Sequence, residues 1–210
     1  MMKKNGFTLA EVLITLAIIG VVATLTLPAL MTNTQEQQAR TALKKGINTL
    51  TEAAQMNSAI AGFDYGSFNE TSTNNTESQS LYGLLANRTT IDYQLTGTTT
   101  NQAKAVNNGA SNYVMFFRDG SAIAFKNDTV NKMQSDGLVY GISVIYDTNG
   151  AKGPNLLSNC AGNAGMLNNA AQNDTATDCT VKARRVIKDQ FGVRLRGGFA
   201  VPNGAAARWA

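Results

Sequence analysis

The chain has 210 residues, with 18 basic and 14 acidic side chains, a formal net charge of +4, and no histidine. Its length suits one modest domain plus an extended element. Without histidine, neither Ser-His-Asp nor Cys-His catalysis is available within the chain, nor are the common His-bearing zinc sites. Apolar residues are unevenly placed: a large share precedes Leu30, while long stretches after Ala61 are rich in Asn, Thr, Ser and Gly. The globular core is therefore small, and small cores are marginal without a staple.

The opening, MMKKNGFTLAEVLITLAIIGVVATLTLPAL, is apolar from Phe7 to Leu27 except for Glu11. About 21 helical residues at ~1.5 Å each span a ~30 Å hydrocarbon layer. The run is longer than the apolar core of a secretory signal peptide, and Thr26-Leu27-Pro28-Ala29-Leu30 is a poor small-x-small cleavage site. A plain anchor leaves Glu11 unexplained, because a carboxylate in lipid costs about 2.5–3.5 kcal/mol at a helix centre and less near an end. If the chain were cut between Gly6 and Phe7, each copy would gain an α-ammonium at Phe7. Staggered helices would then bring Glu11 of one copy to the amine of the next, a pair satisfied only in a polymer.

Lys3-Lys4-Asn5-Gly6-Phe7-Thr8-Leu9-Ala10-Glu11-Val12-Leu13-Ile14 resembles the prepilin leader and cleavage site of type IV pilins and type II secretion pseudopilins. The resemblance extends to Pro28. It implies a leader Met1–Gly6 with Lys3 and Lys4, a cut after Gly6 by prepilin peptidase, and methylation of the new Phe7 amine. It further implies that Phe7 and Glu11 drive assembly, and that the partners are other pilin or pseudopilin subunits, an inner-membrane assembly platform and, before assembly, membrane lipid. The expected location is the cytoplasmic membrane, single-pass, with the head outside the cytoplasm. Loss of Lys3 and Lys4 leaves 16 basic residues against 14 acidic ones, a mature charge of +2.

Beyond Pro28 the helix is expected to continue over 29–61. Ala39, Leu43, Ile47, Leu50, Ala54 and Ala61 recur at three- and four-residue steps, with Arg40, Lys44, Lys45 and Glu52 on other faces. Gly20 and Pro28 weaken the helix between them, either as a harmless kink or as a hinge used on packing. Residues 62–112 read as polar loop, with one short helix at Leu81, Leu84 and Leu85. Tyr113–Phe117 and Ala122–Phe125 flank Asp119-Gly120, a hairpin signal. Leu138–Tyr146 is a third strand, and Phe191–Leu195 and Phe199–Val201 add one or two more. The fold class is thus α+β: a long N-terminal helix, membrane-spanning in its first half, packed by its second half on a small antiparallel sheet. The organisation is leader 1–6, apolar helix 7–28, amphipathic continuation 29–61, and a head at 62–210.

Asp147 and Asn149 place oxygens at i and i+2 before Gly150, which is how calcium loops begin, but the bidentate glutamate of an EF-hand is missing. Asp-x-Asn-Gly-x-x-Gly-Pro-Asn is similar to a stretch in pilin-like heads, and some pseudopilins bind calcium in a C-terminal loop. The alternative is a tight Asn-Gly turn held by Asp147. Cys160 and Cys179 enclose 18 residues too polar to stay folded by burial. A bridge there contributes about 3 kcal/mol and is the expected state outside the cytoplasm; type IV pilins commonly carry such a C-terminal loop. Lys182, Arg184, Arg185, Lys188, Arg194 and Arg196 form a basic cluster that, on one face, could meet nucleic-acid phosphates. Phe191 and Phe199 are the few aromatics there to stack bases, and a solvated face or ion pairs with a neighbouring subunit are the alternatives. No nucleophile–base motif points to catalysis.

Overall fold

The computed structural model describes residues 6–67, 80–96, 113–125, 141–160, 179–181 and 185–210. The chain divides into two compact units, Met1–Gln38 and Ala39–Ala210. Helix α1, Leu9–Ala61, runs through their boundary.

The described part of the first unit is helical from Leu9 and apolar through Leu27. Leu9–Leu27 has a mean hydropathy of 2.3, and none of that window is buried. Its threonines are turned inward electrically: Thr15 Oγ1 donates to Val12 O, Thr24 Oγ1 to Val21 O and Thr26 Oγ1 to Val22 O, each at 2.9 Å. Hydroxyls satisfied by their own helix can enter an apolar solvent without an unpaired donor. Gly20 and Pro28, the expected weak points, both lie inside α1 without interrupting it.

In the second unit α1 buries Ala39, Leu43, Leu50, Ala53 and Ala54, with Ile47 partly covered. That is the expected face, with one correction at its end. Ala61 is exposed, and Asn57, 2% exposed, takes the next inward position. Asn57 Nδ2 donates to Phe63 O at 2.8 Å and Oδ1 accepts from Arg88 Nε at 3.0 Å. A polar side chain with both ends bonded can occupy a core position that periodicity assigns to apolar residues. Gly62 ends the helix with a positive φ, its N–H bonded to Ser58 O.

Helix α2, Leu81–Arg88, starts at Ser80, whose side chain accepts from Gly83 N at 2.9 Å. Leu81, Leu84 and Leu85 are buried, as their spacing predicts. Six antiparallel strands follow in simple chain order: β1 Ile91–Thr96, β2 Tyr113–Phe117, β3 Ala122–Phe125, β4 Ile142–Asp147, β5 Gln190–Arg196 and β6 Phe199–Pro202. A short helix α3, Ala205–Trp209, closes the chain.

Two of these elements differ from expectation. Strand β1 lies in the stretch expected to be loop, paired to β2 with a register shift between Ile91 and Tyr93. The third strand begins at Ile142 rather than Leu138, residues 138–140 falling outside the described residues, as do residues 68–79 and 97–112 of the expected polar loop.

The sheet is covered on both faces, which explains why YVMFF and AIAF are continuous apolar runs rather than alternating ones. Met115, Phe117, Ile123, Phe125, Val144, Phe191, Val193 and Leu195 join the core formed with α1 and α2. On the other face Val114, Phe116, Ala122, Ala124 and Ile145 pack with Leu157. The expected β2–β3 turn is in place. Gly120 has φ +87°, and Asp119 Oδ1 accepts from Ser121 N at 3.1 Å and Ser121 Oγ at 2.6 Å. Lys45 of α1 reaches Asp119 at 2.9 Å. Partial burial opposes ionisation of Asp119, but the Ser121 and Lys45 contacts hold its carboxyl below the ordinary carboxylate range.

The β6 edge offers no free outward N–H at positions 200 and 202. Asn203 N bonds Gly192 O, so alternation points the Val201 and Phe199 amides toward β5 and positions 200 and 202 outward. The outward Ala200 N–H donates to Thr51 Oγ1 of α1 at 3.1 Å, and Pro202 has no N–H.

Candidate functional site

Helix α1 starts in a reciprocal cap. Thr8 immediately precedes the first helical residue, Leu9, and Glu11 is the third helical residue. Glu11 N donates to Thr8 Oγ1 at 3.3 Å, while Thr8 N and Thr8 Oγ1 both donate to Glu11 Oε2 at 2.9 Å. This is a Thr-x-x-Glu capping box, with the carboxylate also favoured by the positive end of the helix dipole. Glu11 therefore has a partner within its own chain, which the cost of a charge in lipid does not by itself predict. The Thr8-Leu9-Ala10-Glu11 spacing was the available signal. Oε1 makes no hydrogen bond among the described residues. Phe7, at the expected cut, is 90% exposed, and Gly6 beside it is exposed, with nothing near where a Cβ would stand. Lys3 and Lys4 lie outside the described residues. Over Leu9–Leu27 Glu11 is the one charged side chain.

The head contains a second organised region, a clamp around the disulfide. Asp147 is fully buried, its Oδ1 accepting from Asn149 N at 3.0 Å and its Oδ2 from Gln190 Nε2 at 2.9 Å. Asp189 accepts from Asn155 N at 2.7 Å and Leu156 N at 2.9 Å. Further along, Ser158 N bonds Gln190 O, and Asn159 and Val186 exchange both backbone bonds. These contacts zip residues 155–159 to 186–190, and Cys160–Cys179 closes the end of the ribbon with Cα atoms 5.2 Å apart. Each Asp147 carboxylate oxygen accepts an N–H, while Asn149 Oδ1, the other expected ligand atom, is buried without a hydrogen-bond partner among the described residues. Among the described residues no group of three or more His, Cys, Asp or Glu is placed to hold a metal.

Burial, reinforced by the nearby Asp189 charge and opposed by the Gln190 and Asn149 bonds, pushes the Asp147 carboxyl up to about 7. Its ordinary value is 3.8, so between about pH 4 and pH 7 the folded chain keeps a proton that the unfolded chain has released. This group's contribution therefore falls as pH rises through that window and is flat above it. A tenfold change in proton affinity is worth about 1.4 kcal/mol, so the difference is on the order of 4 kcal/mol. Urea titrations at pH 4.5 and pH 8 should show the Asp147→Asn chain gaining relative to the parent at pH 8. An identical pH dependence in both would refute the assignment.

The basic cluster is divided. Arg185 lies over the Trp209 ring at 3.6 Å, and Arg40 of α1 lies over the same ring at 3.3 Å. Two guanidiniums cannot share one face at that distance, so the indole is sandwiched and neither face is open to a nucleic-acid base. Trp209 also borders the disulfide, which packs on Ala205 and Ala206 beside Ile187. Lys188 N bonds Ser158 Oγ at 2.8 Å, a use of its backbone rather than its charge. Arg194 and Arg196 alternate with the core-facing Val193 and Leu195, and so stand on the sheet face away from α1. Lys182 and Arg184 lie outside the described residues.

One comparison with known proteins succeeds: residues 1–27 match the model described as the prokaryotic N-terminal methylation motif. No curated protein and no solved structure matches the chain. The matched segment covers the capped helix start, Glu11 and the apolar run, and together these fit a single-pass, membrane-anchored chain of structural type. What opens this protein is the prepilin signal of type IV pilins and pseudopilins.

Proposed function

We propose that this chain is a structural subunit of a type IV pilus-like or type II secretion filament. Prepilin peptidase cuts between Gly6 and Phe7, the Phe7 amine is methylated, and the protein waits in the cytoplasmic membrane with its head outside. The assembly platform then moves it into a polymer of like subunits, where the apolar part of α1 exchanges lipid for neighbouring helices. Catalysis has no place in this reading. Its main support is the methylation motif over residues 1–27, which contains a single carboxylate, Glu11, in an otherwise uncharged run. The disulfide in the head suits an oxidising compartment.

Intact mass and N-terminal analysis of the protein from native membranes tests the first step. A chain beginning at methylated Phe7 is expected; one still beginning at Met1, or cut after Leu27, would overturn the reading. The second step is tested by Glu11→Ala. Removing the charge cheapens insertion, so the variant should reach the membrane and be cut normally. Its share in sheared filaments should fall at least tenfold, because one ion pair per subunit contact is lost. Filaments with a normal share of the variant would refute the pairing.

A further inference from the structure

We propose that Thr8 is a positioning residue for assembly: it fixes the Glu11 carboxylate so that one oxygen is held by its own helix and the other is presented to the incoming subunit. The inference rests on the filament reading above, and it deepens that reading by naming what aims the charge. A carboxylate has two oxygens and about four acceptor positions. Thr8 N and Thr8 Oγ1 both converge on Oε2, at 2.9 Å each. Oε1 carries no hydrogen bond among the described residues, and Glu11 is exposed on the first turn.

Three consequences follow from that division. The side chain is confined to one rotamer before it meets a partner, so docking does not have to order it. The charge is never bare in the free subunit, since two donors and the helix dipole face it. The remaining oxygen can accept an ammonium without the cap being broken, so the helix start and the intermolecular pair coexist. Thr8 lies after the proposed cut and stays in the mature chain, as does the N–H it donates.

A competition experiment separates positioning from simple helix capping. Full-length variants are co-expressed with the parent in the native cell, and the variant-to-parent ratio is read by mass spectrometry in sheared filaments and in membranes. Intact mass confirms that each is cut after Gly6. Thr8→Val removes the hydroxyl while keeping the shape, and should lower the filament ratio about tenfold, the factor that ~1.4 kcal/mol represents. Thr8→Ser should restore it. Placed in a Glu11→Ala chain, Thr8→Val should cause no further drop, because Thr8 acts through Glu11. An equal drop in both backgrounds would mean that Thr8 merely starts the helix, and would overturn the inference. So would a Thr8→Val chain that enters filaments at the parent's ratio while Glu11→Ala is excluded, leaving the filament reading intact. A parent that enters no filament would overturn both.

Discussion

Replacing Cys160 and Cys179 together by Ser should lower the unfolding free energy of the head by about 3 kcal/mol, the loop-closure contribution for a bridge of this span. For a chain of this size the melting temperature would fall by roughly 6–12 °C. The effect should also reach the far end of the sequence. Both cysteines are buried, and they pack on Ala205 and Ala206 of α3 with Ile187 and Trp209 at the border. Trp209 is the chain's only tryptophan and is held between Arg40 and Arg185. Its fluorescence should change in the double variant before the sheet unfolds, as α3 loosens and the two guanidiniums leave the ring. A variant with the parent's melting temperature and emission would show that the bridge is incidental to the clamp.

The second large effect is expected at Gly46. Here α1 approaches the sheet so closely that a Cβ would overlap the Tyr146 ring. Tyr146 is 2% exposed, and a cavity of about 330 Å³ bordered by Leu50, Thr90, Phe117 and Ser121 as well as Gly46 and Tyr146 adjoins the contact. In an exposed helix a glycine costs about 1 kcal/mol relative to alanine, so substitution would normally help. At Gly46 overlap should win: Gly46→Val is expected to destabilise the head by about 3 kcal/mol. Shrinking the ring with Tyr146→Leu should recover part of the loss, making the two changes less than additive. A Gly46→Val chain as stable as the parent in urea would show that the helix can lift off without cost.

What the sequence disclosed depends on how local each signal was. The α1 face, α2, the β2–β3 turn at Asp119-Gly120 and the order of the later strands follow from nearest-neighbour patterns, and all appear. Strand β1 alternates Ile91, Tyr93 and Leu95 with polar residues in the sequence, but it sits in a run dominated by Asn, Thr and Gly, and its partner β2 lies beyond residues 97–112. Helix α3 is three alanines, Arg208 and Trp209, too short to show a period. The ribbon joining 155–159 to 186–190 is illegible in the sequence, since Asp189 meets Asn155 across 34 positions. Asn57 gives no sign of its role there either, because a buried polar residue is visible only once its partners are. At the N-terminus the cost of a charge in lipid marks Glu11 as exceptional and directs attention to a second molecule. The first compensating contact lies three residues away in the same chain.

The Thr51–Ala200 bond and Pro202 bear on what happens when many copies stand side by side. Exposed strand edges are templates for indefinite stacking, and the hazard grows with local concentration. An array of these heads, tethered through their helices, would hold such edges permanently within reach of one another. With the Ala200 N–H bonded to Thr51 and no N–H on Pro202, the β6 edge offers a neighbouring strand no outward donor at these two positions. On the β6 side, one threonine hydroxyl and one imino acid remove the outward donors that cross-strand stacking would use.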